Sequence, residues 1–209
     1  MARTSKTTEP AMDAAEMLAR DIHSGLFGLG TWLKQIDLEK RYGCTRIEVR
    51  RALDQLVLKR LVQHIPNRGY HVYQPDARQS DEIRDVRVVL ETAAADTIVE
   101  NADAAAIAEL RALAQRFSDL LFDGTLLEQY EANIAFHVRM ARLCANRELT
   151  NLILEFRGRG PSAPLQQWKT RARIEKSNEE HFLMIDALEA RDADRLKALV
   201  RAHIRQTLE

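Results

Sequence analysis

Arg46 and Arg50 carry the most specific chemistry in this chain. Their four-residue spacing puts both on one face of a helix. A guanidinium fork binds guanine edges or phosphate oxygens bidentately, so such a pair suits reading a DNA major groove. Thr45, a natural helix N-cap, precedes them and Arg51 adjoins them, which makes Thr45, Arg46, Arg50 and Arg51 the candidate DNA contacts of this stretch. Taken alone, the window fits an ordinary amphipathic surface helix equally well. A second group is His137, His181 and His203, each on an apolar stripe. His137 shares its stripe with Asn133, Met140 and Cys144, His181 with Met184, Ile185 and Leu188, and His203 with Leu196, Leu199 and Val200. Such stripes face inward, so each imidazole is expected in a helical interior. A single histidine there is more often a hydrogen-bonded core residue than a ligand.

The elements that must position the arginines are legible around them. Val49, Leu53 and Leu56 recur at helical spacing behind Arg46 and Arg50, and Gly43 breaks the pattern just before. Upstream, Ala14 to His23 reads as a first helix and Asp37 to Tyr42 as a positioning helix, with a glycine-rich loop at Gly25, Gly28 and Gly30 between them. Downstream, two β-prone runs, Arg60 to Ile65 and Tyr70 to Tyr73, are joined by Pro66-Asn67-Arg68-Gly69 and read as a hairpin. Arg68 at its tip, with Gly69 allowing close backbone approach, suits contact with the phosphate backbone or minor groove. Two helices, an arginine-bearing helix and a hairpin in this order predict a winged helix-turn-helix.

After Tyr73 no strand pattern appears. Helices are expected over Ser80–Asn101 with Ser80 as N-cap, Asp103–Phe122, Thr125 to Cys144, and Leu149–Phe156, the last ending in Arg157-Gly158-Arg159-Gly160-Pro161. Two more follow, from about Leu165 to Ala190 and from Asp192 to Leu208. The expected fold is therefore mainly α: an N-terminal winged helix-turn-helix followed by an all-α bundle of six or seven helices. The expected divisions are an arm at 1–10, a DNA-binding domain at 11–74, a linker at 75–79, and an effector-binding and dimerisation domain at 80–209.

Composition agrees with this plan. The 209 residues are 45% hydrophobic and 30% charged, as in soluble globular proteins, with only 6% aromatic. The net charge is zero, but residues 1–78 hold 13 Lys/Arg against 9 Asp/Glu, whereas 79–209 hold 18 against 22. The basic excess sits on the half with the arginine pair. No apolar run reaches the roughly 18 residues of a membrane span, and no secretory segment opens the chain. Cys44 and Cys144 lie far apart, so no disulfide is expected and a cytoplasmic location is.

These residues also carry a family resemblance. Gly25…Gly30-x-x-Leu33, then Tyr42-Gly43-Cys44-Thr45-Arg46-Ile47-Glu48-Val49-Arg50-Arg51-Ala52-Leu53, then Asn67-Arg68-Gly69 resemble the GntR family of bacterial transcription regulators. Ile47, Glu48 and Arg51 depart from that family's Thr, Pro and Glu, which implies an operator different from the common one. Arg87-Val88-Val89-Leu90-Glu91, Asn133-Ile134-Ala135-Phe136-His137, Glu180-His181 and His203 resemble the FCD effector domain of the FadR-type branch. That resemblance implies a divalent metal site of one carboxylate and three histidines, here at Asn133, His137, His181 and His203, with Asn133 in the carboxylate position. Three imidazoles suit zinc, nickel or a similar ion. It further implies a homodimer on a palindromic double-stranded DNA operator and a small-molecule effector, an organic acid, held at the metal. Arg87 is a candidate second anchor for it; a salt bridge to Glu91, four residues on, is the equal alternative. A rival reading is a metal-dependent enzyme fused to a DNA-binding module. No nucleophile motif or phosphate loop supports it, and the nearby Glu179 and Glu180 read as solvent-facing helix charges.

Overall fold

The computed structural model describes residues 13–159 and 171–205. Three helices open it: α1 (Ala14–His23), α2 (Gln35–Tyr42) and α3 (Arg46–Leu58). Asp13 caps α1 by accepting the Glu16 N–H. Gly43 closes α2 in the left-handed conformation, φ 64°, which costs glycine little. Thr45 then starts α3 in a reciprocal capping box: its hydroxyl accepts from the Glu48 N–H, and the Glu48 carboxylate accepts from the Thr45 N–H at 2.7 Å. Two strands follow, β1 (Val62–Ile65) and β2 (Gly69–Val72), antiparallel with Val62 opposite Val72 and Ile65 opposite Gly69. The stretch before α2 lies along β2, with the Leu33 N–H donating to the Tyr70 carbonyl and the Val72 N–H to that of Thr31. Leu18, Ile22, Leu33, Leu53, Leu56 and Val72 form the core beneath.

Beyond the hairpin every described element is a helix: α4 (Ala77–Ala93), α5 (Ala95–Asn101), α6 (Ala104–Asp123), α7 (Leu126–Ala141), α8 (Arg147–Arg159), α9 (Arg171–Glu189) and α10 (Ala193–Arg205). Asp103 and Thr125 cap α6 and α7 as their positions imply, Thr125 in a second capping box. At Gly124 a Cβ would lie 2.6 Å from the Leu120 carbonyl oxygen, so only glycine allows the chain to turn so closely there. Leu110, Phe136, Met184, Ile185 and Leu188 are fully buried at the centre of this second core. None of the described helices is long and apolar enough to cross a membrane.

Several boundaries differ from expectation. Ser80 lies inside α4, and the cap is Asp76, whose carboxylate accepts the Gln79 N–H at 2.7 Å. Residues 77–79, expected as linker, are thus helical, because Asp caps as strongly as Ser and comes first. The single helix expected to Asn101 is divided at Ala94. Thr92 there bonds back to the Val88 carbonyl at 2.6 Å, a contact that bends helices. Helix α7 stops three residues short of Cys144, and α8 runs through Gly158 to Arg159. The expected arm at 1–10, the helix start near Leu165 and the end at Leu208 lie outside the described residues.

Candidate functional site

Two sites emerge. On the first, α3 buries Val49, Ala52, Leu53 and Leu56 and turns Arg46, Arg50 and Arg51 to solvent. Arg68 is exposed at the hairpin tip. None of these four arginines forms an ion pair among the described residues. The hairpin is fixed against α3 by Tyr70, whose hydroxyl donates to Asp54 at 2.6 Å. That bond, reinforced by burial, raises the Tyr70 pKa. Gly69 has φ +79°, and a Cβ on it would come within 3.2 Å of the Trp32 ring nitrogen, so the backbone approach here requires glycine. Thr45 is placed beside Arg46, with its hydroxyl engaged in the capping box and also donating to Glu48 at 2.7 Å. Ile47, between the arginines, is 67% exposed, an apolar side chain presented on a polar face.

The second site lies in the bundle. His137 on α7, His181 on α9 and His203 on α10 meet there, their donor atoms all within 4.8 Å of one another. The Nε2 of His137 is 3.2 Å from that of His181 and 3.0 Å from that of His203. Two imidazoles bound to one zinc-like ion at about 2.0–2.1 Å are separated by roughly 2.9 to 3.4 Å, depending on geometry. The His137–His181 and His137–His203 spacings therefore match a shared ion, whereas the three ligand atoms together spread to 4.8 Å and would have to draw in around one. The same spacings suit hydrogen bonding poorly, since one ring nitrogen has a single proton or a single lone pair to offer two neighbours. Phe136 stacks on His181, centroids 4.2 Å apart, and closes one wall. Asn133 lies one turn before His137, buried, and its Oδ1 has no partner among the described residues. The Nδ1 atoms of His137 and His181 are likewise buried without one.

Electrostatics favour neutral rings. Burial, then the charge of Arg157 for His137 and of His203 for His181, holds both well below the ordinary histidine pKa. Burial also lowers His203, against an opposing hydrogen bond to Glu180. Neutral imidazole is the form that binds metal. Glu180, expected at the surface, is instead buried. It accepts from His203 Nδ1 at 2.6 Å and from both terminal nitrogens of Arg173, at 3.0 and 2.5 Å. A neutral His203 with its proton on Nδ1 turns a bare Nε2 lone pair toward His137, the arrangement in which a carboxylate orients a metal-binding histidine. Burial works against ionisation of Glu180, but the His203 and Arg173 bonds outweigh it and bring its pKa to about 2. Glu179, its neighbour, is exposed as expected.

Arg87 is nearby and engaged: its Nε donates to Glu91 at 3.0 Å, the alternative pairing considered for it. The other oxygen of Glu91 accepts from Arg157 at 2.9 Å. All three residues are buried or nearly so, and two guanidiniums on one carboxylate leave an excess positive charge. Glu91 also lines a void of about 10 Å³ beside His137, space for roughly one water. In the sequence Glu180, beside His181, reads as a solvent-facing charge, and Arg157 is not singled out as a site residue. The two-turn spacing from Arg173 to Glu180 on one helix was the available signal for the first; nothing local marks Arg157 as the partner of Glu91.

Residues 10–72 match the family of bacterial regulatory proteins termed gntR, and residues 82–206 match the FCD domain. The chain is 31% identical over 204 residues to the uncharacterized HTH-type transcriptional regulator BphR of Paraburkholderia xenovorans (strain LB400), covering 92% of this chain and 81% of that one. It is 23% identical over 208 residues to the uncharacterized HTH-type transcriptional regulator YdhC of Bacillus subtilis (strain 168), covering 99% and 93%. Among solved structures, E. coli McbR/YncC superposes with a TM-score of 0.78 at 24% identity over 92% of each chain. A putative GntR transcriptional regulator from Rhodococcus sp. RHA1 gives 0.78 at 22% identity, again over 92% of each. These likenesses agree with the winged helix and helical bundle expected from the sequence.

Proposed function

The chain belongs to the gntR family of bacterial regulatory proteins and carries an FCD domain, and from that premise we propose that it binds a palindromic operator as a homodimer and changes its affinity when a small organic acid binds in the bundle. It is a DNA-binding transcription regulator rather than an enzyme, as are the relatives it matches. Residues 11–74 form the DNA-binding unit in this reading, and α4 onward forms the effector unit. Arg46 and Arg50, with Thr45 and Arg51 beside them, contact bases and phosphates of one half-site, while Arg68 and Gly69 of the wing follow the backbone. A second subunit reads the other half-site.

The observation that carries the effector reading is the meeting of three Nε2 atoms from three helices around one point, with His137 3.0 and 3.2 Å from the other two. His137, His181 and His203 would hold a divalent ion of zinc or nickel type, with the orphaned Asn133 oxygen as a weaker fourth donor. When bound, the ion supplies positive charge and an open position for a carboxylate. The excess charge of Arg87 and Arg157 around Glu91 adds to the attraction of an anion. Zinc titration of the metal-stripped protein tests this: wild type takes up about one ion per chain at neutral pH, and His181→Ala binds far more weakly while its winged helix stays folded. A wild-type protein that takes up no metal sinks the metal reading. Operator affinity measured with and without organic acids then tests the response.

A further inference from the structure

The winged helix meets the bundle where α1 packs on α7. His23 at the end of α1 stacks on Tyr130 of α7, ring centroids 4.9 Å apart, and Arg20 faces Glu131 at 3.6 Å. Beside this contact lies a cleft of about 430 Å³ between the two halves, within the roughly 300–1,000 Å³ of ligand pockets. Leu61, Ile134, Val138 and Leu154 give it apolar walls. Its charged lining is mostly cationic: Lys59 just past the recognition helix, Arg142 at the end of α7, and Arg157 on α8, against Glu155. Arg157 is only 9% exposed, and its Nε has no hydrogen-bond partner among the described residues. Its one carboxylate partner, Glu91, is shared with Arg87. Two guanidiniums sharing one carboxylate leave Arg157 under-neutralised at the cleft's lining, which favours an anion there.

We propose that this cleft is a second ligand site, separate from the histidine cluster, that takes an amphipathic anion: a carboxylate on an apolar body. The body packs on Ile134, Val138 and Leu154, and the carboxylate faces Arg157, Lys59 and Arg142. Such a ligand touches the residue after the recognition helix and two helices of the bundle at once, so it sets the angle between the halves. Through Arg157 and Glu91 the cleft also adjoins the void beside His137, which gives the two sites a physical connection.

Calorimetric titration of the intact protein with octanoate and with the uncharged octanamide tests this. Octanoate binds saturably with one site per chain, and octanamide binds at least about tenfold more weakly for want of the charge-assisted bonds. Arg142→Gln, a change at an exposed position, weakens octanoate several-fold, and Ile134→Trp, which fills the cleft, abolishes binding. Val138→Phe narrows the same space should the tryptophan variant fail to fold. His181→Ala, which touches none of the cleft's lining, leaves octanoate binding within about twofold, and zinc uptake by Arg142→Gln is unchanged. These two controls keep a failure here distinct from a failure of the metal reading. The proposal is overturned if octanoate does not bind saturably, if octanamide binds as well, or if His181→Ala abolishes binding while the cleft-filling variants retain it.

Discussion

Glu180→Gln tests the logic of the histidine cluster most sharply. The Glu180 carboxylate holds the imidazole of His203 at 2.6 Å and neutralises Arg173, all inside the bundle. Holding a carboxyl at about 2 instead of near 4.3 corresponds to a preference of about 3 kcal/mol for the ionised form. Breaking a buried ion pair from one side costs about 3–5 kcal/mol by general experience, so the two routes agree. The glutamine variant should therefore unfold about 3 kcal/mol more easily in urea, measured with chelator present. Its zinc affinity, measured where it remains folded, should fall roughly 10- to 100-fold, because the histidine loses its orienting acceptor charge. The two losses must also be coupled through His203. In a double-mutant cycle, removing Glu180 from a His203→Ala background should change zinc affinity much less than in wild type. Wild-type zinc affinity in Glu180→Gln, or full additivity in the cycle, would refute the claim that this carboxylate positions a ligand.

Three further outcomes follow from the same geometry. Arg46→Ala and Arg50→Ala should each cost about 1–3 kcal/mol in operator binding and relax base preference, while Arg68→Ala weakens binding more evenly across sequences; mobility-shift titrations that match wild type would dismiss α3 as the reading helix. Asn133→Asp should tighten zinc binding by placing an anionic oxygen where the buried amide oxygen now lacks a partner; competition against a chelator of known affinity reads this, and unchanged affinity would remove residue 133 from the ligand set. Burial holds His23 down to about 4, so its native ring refuses a proton that the unfolded chain accepts. The stability it confers on the α1–α7 contact is full above about 6.5 and drains as pH falls toward 4. Hydrogen-exchange protection factors in α1, corrected for intrinsic rates, should fall across that window, and a His23→Gln variant that shows the same step would assign it elsewhere.

What the sequence determined here is mostly local, because local physics acts over one helical turn or one hairpin. Helix α1 begins and ends where its stripe does, Gly43 and Thr45 divide α2 from α3, and the placement of Arg46 and Arg50 opposite Val49 and Leu53 follows from helical periodicity alone. The inward direction of His137 and His181 was equally legible from their apolar neighbours. Even the departure at residue 48 has a local reason, since Glu48 completes the capping box that begins α3. Glu180 could not be read this way. Helix α9 buries Arg173, Ser177, Glu180 and His181 in line with Met184, Ile185 and Leu188 and keeps Lys176 and Glu179 in solvent, so its buried stripe itself carries charged residues and residue type misled there. Only packing put helices on enough sides of α9 to bury that carboxylate, and only packing joined Glu91 to Arg157 across 66 residues. The meeting of His137, His181 and His203, and the cleft between the two halves, depend on distances between elements far apart in the chain. No periodicity encodes those distances; they are fixed by how the helices close on one another.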